Sequence, residues 1–205
     1  MKPQALYKLA REVLLPDLEP KGFVVTNGRY TRILDTGVIH LIGFGKDPHG
    51  AQTFRVLCGV NANCFAVEEH PYGFIKHQNS CHLTRKGWDH NSGRWPCDSE
   101  EEARESLIAV RQLLLDLGIP WLDLHETLSS VADEISDIGS PGLGWMKARL
   151  YLLDGDFGRA TEAIENYAAW AAKPRNWGTR EFQMEDLALA ERIRKEIEDA
   201  KRTLL

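Results

Sequence analysis

Cysteine and histidine are the residue types in this chain with the most chemical reach. Cys81 and His82 are adjacent, Cys97 follows, and Cys64 and His90 lie in the same stretch. Thiolates and imidazoles converging tetrahedrally would suit zinc, but structural zinc sites draw on tightly spaced ligand pairs. On a strand, neighbours such as Cys81 and His82 point to opposite faces and diverge from any shared ion. The spacing therefore favours packed cysteines over a metal site, with Cys81 and Cys97 as the weak metal-ligating candidates, and no cofactor is expected. A second combination is Asp89 with His90, near His77 and His82. Histidine titrates near neutrality and a carboxylate can orient it, as acid–base or nucleophilic catalysis requires. Yet Asp89-His90 runs into Asn91-Ser92-Gly93, the composition of an exposed loop. No G-x-S-x-G, H-E-x-x-H or paired-carboxylate pattern supports it. His82, Asp89 and His90 stand as weak catalytic candidates.

Two further motifs carry less. Gly43-Phe44-Gly45-Lys46 with Gly50 lacks the spacing of a phosphate loop and reads as a hairpin turn. Six tryptophans are many for 205 residues. Trp121, Trp145 and Trp170 sit in helical patterns and are expected in the core. Trp88, Trp95 and Trp177 fall in loop contexts and are the candidates for a binding surface, where tryptophan is enriched.

Composition bounds the partners. The chain is 43% hydrophobic and 27% charged, so it can bury a core without staples and is not expected to be disordered. Its net charge of -5 and dispersed basic residues argue against a nucleic-acid partner. No run approaches the roughly 18 apolar residues of a membrane span, and the N-terminus does not resemble an export signal. Four cysteines without a C-x-x-C spacing suit reduced thiols in a cytoplasm.

The elements that must position these residues follow from periodicity. Leu6, Leu9, Ala10, Val13 and Leu14 recur at helical spacing after Pro3, and Pro16 and Pro20 are expected to end that helix. The period then falls to two. Strands over 23–25 and 30–34 flank Asn27-Gly28, a tight-hairpin signal. Val38, His40, Ile42 and Phe44 alternate with Ile39 and Leu41, and Phe54, Val56, Cys58, Val60 and Ala62 share one face. Short hairpin connections predict an antiparallel meander. Residues 63–97 read as irregular apart from one strand over 81–85, and such stretches often carry function. Ser99 with Glu102 forms a capping box for a helix that Gly118 and Pro120 should stop, and a further helix is expected over 121–135. Gly139-Ser140-Pro141-Gly142 marks a boundary. A helical hairpin over 143–153 and 157–172 and a last helix over 179–204 complete the chain.

Several of these motifs resemble a bacterial family known as domain-of-unknown-function family 4304. They are the helix leading to Gly22-Phe23, an aromatic strand with an arginine, the strand ending in Gly43 to Lys46, and the Phe54 to Val60 strand. Cys81-His82 with Arg85, Trp95 and the capped helix extend the likeness to roughly residues 5–130. The resemblance implies the fold and a bacterial origin, and no catalytic residues. Separately, Ala148 to Phe157 with Ala160 and Ala163 resembles a tetratricopeptide turn, but no second copy follows.

The sequence thus predicts an α+β protein with an antiparallel sheet of about four or five strands flanked by helices, followed by a helical C-terminal section. The expected domains are 1–138 and a helical part, 143–205, docked on it. The function expected is a non-catalytic interaction module in the cytoplasm, an immunity-type antidote being one form. Its partner would be another protein, not nucleic acid or membrane, and a homo-oligomer is compatible with the pattern. Alternatives are an enzyme with its site in 63–97, or a small-ligand or metal-binding module.

Overall fold

In the computed structural model, two helix-bearing stretches bracket a twisted antiparallel sheet in the first of two units. The structure describes residues 2–26, 28–46, 52–62, 79–84, 87–89, 94–135, 141–174 and 180–203, with the backbone alone at 46, 79–84, 87–89 and 141. The chain divides into units at 1–126 and 127–205, so the division precedes the Gly-Ser-Pro-Gly boundary read from composition. Among the described residues, no helix is long and apolar enough to cross a membrane.

Helix α1 (Pro3–Leu18) buries Leu6, Leu9, Ala10, Leu14 and Leu18, the one-sided stripe that the spacing predicts. Pro16 does not end it. The amide that proline lacks is needed only in the last turn, and burial of Leu18 (1% exposed) offsets that loss. The sheet runs β1 (Val24–Thr26), β2 (Arg29–Ile33), β3 (Val38–Lys46), β4 (Thr53–Ala62), β5 (Asn79–Thr84) and β6 (Gly87–Asp89), with β7 (Trp95–Pro96) also paired to β4. All these pairings are antiparallel, so the α+β class with an antiparallel sheet is as expected. Three of the seven strands are only two or three residues long. The segment expected to be largely irregular contributes β5, β6 and β7, because β4 still offers an unpaired edge there.

Register fixes the faces. Val38, His40, Ile42 and Phe44 on β3, and Phe54, Val56, Cys58, Val60 and Ala62 on β4, are all buried on one side. Ile39, Leu41 and Leu57 on the other side are half-buried, and Ile33 is exposed. Tyr30 is fully buried at an edge-to-face distance of 5.9 Å from Phe44, yet its hydroxyl has no partner among the described residues. Burial pushes the Tyr30 phenol well above its ordinary range. An orphaned buried hydroxyl costs about 1–3 kcal/mol, so Tyr30→Phe should raise stability by about 1 kcal/mol. A urea midpoint that falls in Tyr30→Phe would instead reveal a bond that the hydroxyl makes.

Helix α2 (Glu100–Leu113) starts at the Ser99 cap that the sequence predicts, but the return bond of the expected capping box falls one residue earlier. The Ser99 side chain accepts the Glu102 amide at 3.1 Å, while Glu102 takes the Asp98 amide. Gly118 and Pro120 do not stop the helical path. A π-turn over Leu114–Gly118, in which the Ile119 amide reaches Leu114 O, carries it into α3 (Ile119–Asp123). Pro120 has no amide to give the preceding turn, and the wider turn absorbs that loss. Gly118 passes so close to β4 that a Cβ there would sit 3.3 Å from Cys58 Sγ. The single helix expected over 121–135 is broken after α3, and α4 (Leu128–Asp133) begins with its own Thr127–Ser130 capping box.

In the second unit, α4 is followed by α5 (Gly144–Leu153), α6 (Phe157–Ala171) and α7 (Arg180–Thr203). Buried residues surround α5, including Trp145, Met146, Ala148, Leu150 and Tyr151, which suits a helix with α4, α6 and α7 packed about it. The α5–α6 hairpin turns at Gly155, and Asp156 caps α6 through the Arg159 amide. Ala160 and Ala163 are buried small residues that let the two helices approach, as the tetratricopeptide-like pattern implies.

Candidate functional site

The structure describes some of the residues that the sequence singles out and not others. His90, His77, Cys64 and Trp177 lie outside the described residues. Asp89 ends strand β6 instead of sitting in a loop, and the hairpin register sets His82 opposite it. Cys81 faces Cys58 across β4 and β5, and Trp88 pairs with Leu83. Cys97 and Trp95 are both buried, at 1% and 2% exposed. Among the described residues, no three His, Cys, Asp or Glu side chains are grouped to hold a metal ion.

A polar constellation absent from those candidates centres on His40. This histidine belongs to the buried row of β3, where the flanking positions are apolar. Its Nδ1 accepts from Arg32, at 3.2 Å from Nε and 2.7 Å from a terminal nitrogen. Its Nε2 donates to the His125 carbonyl at 2.8 Å. Arginine can only donate and a carbonyl can only accept, so the ring is held as the neutral Nε2–H tautomer. Burial first, and then the Arg32 charge, hold its proton affinity below the ordinary histidine value. Arg32 is also ion-paired to Asp123 and lies 5.0 Å over the Phe23 ring. His125 Nδ1 donates to Trp121 O at 2.7 Å, and Thr36 donates to Glu126 O at 2.7 Å. Both nitrogens of His40 are thus consumed. The network ties β2 and β3 to the turn after α3 and leaves no proton site for a substrate.

The second unit holds a comparable cluster. Arg159 bonds both oxygens of Asp133 at 3.1 Å and Asp156 at 2.6 Å, and its guanidinium lies 4.5 Å over the Tyr151 ring. The Tyr151 hydroxyl donates to Asp133. Bonds from Arg159 hold the Asp156 carboxyl below its usual range, while burial and then Asp133 push the Tyr151 phenol upward. A tyrosine so shifted stays protonated near neutrality and is no general base. An open cleft of about 650 Å³ adjoins this cluster, but its Asp154 accepts the Ser129 amide and its Asp156 caps α6. These groups are spent on fixing the turn.

One concave surface in the first unit is different. A cleft of about 630 Å³ lies between β7 and α2. Trp95, Pro96, Ala109 and Leu113 give it an apolar floor, and Glu105 stands on its wall beside Glu102, one oxygen of which takes the Asp98 amide. Ser106 donates to Pro96 O at 2.9 Å and fixes strand to helix at its base. The helical spacing 102, 105, 106, 109, 112, 113 puts these residues on one side of α2. Only the loop-context tryptophan Trp95 signalled this place in the sequence, and the fold uses its buried ring as flooring. No family model, curated protein or solved structure matches the chain.

Proposed function

We propose that this protein is a non-catalytic interaction module, with immunity-type neutralisation of a basic bacterial toxin in the cytoplasm as its concrete form. The observation that carries this reading is the cleft beside α2, which joins an apolar floor to an acidic wall. Apolar floors rimmed by polar groups are the usual form of a contact site. The acidic balance of the whole chain, net -5, favours a basic partner through long-range attraction. The polar clusters of His40 and Arg159 support the same view, since their chemistry is consumed within the fold. The motifs shared with family 4304 are the support for a bacterial origin.

The tagged full-length chain, drawn from its host lysate, should carry one dominant stoichiometric partner of basic character. Only background proteins, together with near-stoichiometric zinc on the purified chain, would remove this reading. A second reading then applies, an enzyme or metal-binding module on the β5–β6 hairpin. The observation favouring it is the register that sets His82 opposite Asp89 and Cys81 opposite Cys58.

A further inference from the structure

We infer that the cleft between β7 and α2 binds a basic segment of a partner protein that presents one apolar anchor side chain flanked by lysine or arginine. This assignment rests on the interaction reading and gives it a location and a chemistry. Charge is segregated around α2. Its two arginines both turn toward α1, where Arg104 meets Glu12 at 3.3 Å and Arg111 grips Asp17 through two bonds of 2.5 and 2.7 Å. At 100° per residue those arginines lie on the side of the helix away from Glu102, Ala109 and Leu113. On the cleft side and its margin, no cation pairs with Glu101, Glu105 or Asp116 among the described residues. Arg94, next to Trp95 in the sequence, is already engaged. Among the described residues the cleft therefore presents acidic charge that no cation of the chain pairs with.

The apolar floor sets the rest of the ligand. Trp95 is held by the core and presents a fixed surface, half-buried Leu113 adds apolar area, and Ala109 leaves room above the helix for a side chain of leucine or phenylalanine size. A purely polar basic peptide would leave this floor wet, and an acidic one would meet Glu102 and Glu105.

Selection of random nine-residue peptides on the immobilised full-length chain tests this directly. The enriched set should place lysine or arginine on both sides of a leucine, isoleucine or phenylalanine. The best peptide should bind at least about tenfold more weakly to Ala109→Arg, which fills the cleft, and to Glu105→Lys, with salt weakening it further. Glu181→Lys, with the same charge change on an exposed position of α7, should leave affinity unchanged. Circular dichroism should show all three variants folded, since the altered positions are exposed. No enrichment, enrichment of acidic peptides, or a basic set that survives Ala109→Arg would overturn the assignment. Self-association of the wild type that Ala109→Arg abolishes would give the cleft to a second copy and equally overturn it. The lysate partner is a separate outcome: its presence with a failed selection would keep the interaction reading and move its site elsewhere.

Discussion

Arg32→Met is expected to lower the unfolding free energy by about 3 kcal/mol. Arg32 is mostly buried, with its side chain 15% exposed, and it serves His40, Asp123, the Lys21 carbonyl and the Phe23 ring at once. Methionine retains much of the apolar stem over Phe23, so packing loss stays small. What disappears is the donor to His40 Nδ1, and a buried unpaired acceptor costs about 1–3 kcal/mol. The bond to Asp123 contributes less than a buried one, because that carboxylate is 44% exposed. The cation over the Phe23 ring adds about 0.5–1 kcal/mol.

The same substitution should change the pH dependence, and the sign follows from His40. Its folded proton affinity is depressed, by burial and then by Arg32 among the charges, with Asp123 and Glu126 acting the other way. The unfolded chain therefore takes up this proton at higher pH, near the ordinary value of about 6.5. The contribution is fully present above about 6.5 and is lost as pH falls from there through the folded value. Arg32→Met removes a charge that disfavours protonation, so the loss between about pH 6.5 and 5 should shrink. Urea midpoints followed by tryptophan fluorescence at three pH values in that window measure both effects. Equal slopes in the two proteins would show that Arg32 does not set the state of His40.

The second large effect is expected at Gly28, in the hairpin joining β1 to β2. Its φ of 74° lies in the left-handed region, where a side chain costs about 1–2 kcal/mol. A Cβ there would also stand 2.6 Å from the Tyr7 ring of α1, closer than real carbon contacts allow. Relief requires moving a ring packed between helix and hairpin, and overpacking of that kind costs about 1–3 kcal/mol. Gly28→Ala should therefore cost about 3 kcal/mol in all. Gly37→Ala is the matched control, with φ 83° and nothing within 4 Å of the new carbon. It should cost only the conformational part, about 1 kcal/mol. Adding Tyr7→Ala to Gly28→Ala should return most of the packing difference. Equal losses at Gly28 and Gly37 would show that the ring moves freely and that only the backbone matters.

Local chemistry was legible wherever an element depends on its own neighbours. Asn27-Gly28 marked a hairpin because a two-residue turn needs the left-handed backbone that Gly28 supplies. Ser99 marked the start of α2 because its side chain meets an amide three residues on. The alternation through Phe54 to Ala62 marked one face of its strand, and that through Val38 to Phe44 marked the two sets of residues, of which the first is the buried one. Proline and glycine were less reliable as stops. Pro16 sits in the last turn of α1, and a π-turn carries the helix across Gly118 and Pro120, because burial of apolar side chains such as Leu18 and Ile119 outweighs a lost backbone bond.

The sequence by itself determined the class of this protein, the faces of its strands and helices, and its acidic balance, since each is a sum over residues or a period of two or 3.6. Tertiary structure alone decided which polar groups meet. His40 reads as one more member of an apolar row until the fold brings Arg32 to one nitrogen and the carbonyl of His125, 85 positions away, to the other. Arg32 and Asp123 are 91 positions apart. The cleft has the same origin: the spacing along α2 is local, but its opposite wall is Trp95 and Pro96, held there by pairing with Thr53 and Phe54 on β4. Periodicity records where a side chain points, and only the closed sheet settles what lies in that direction.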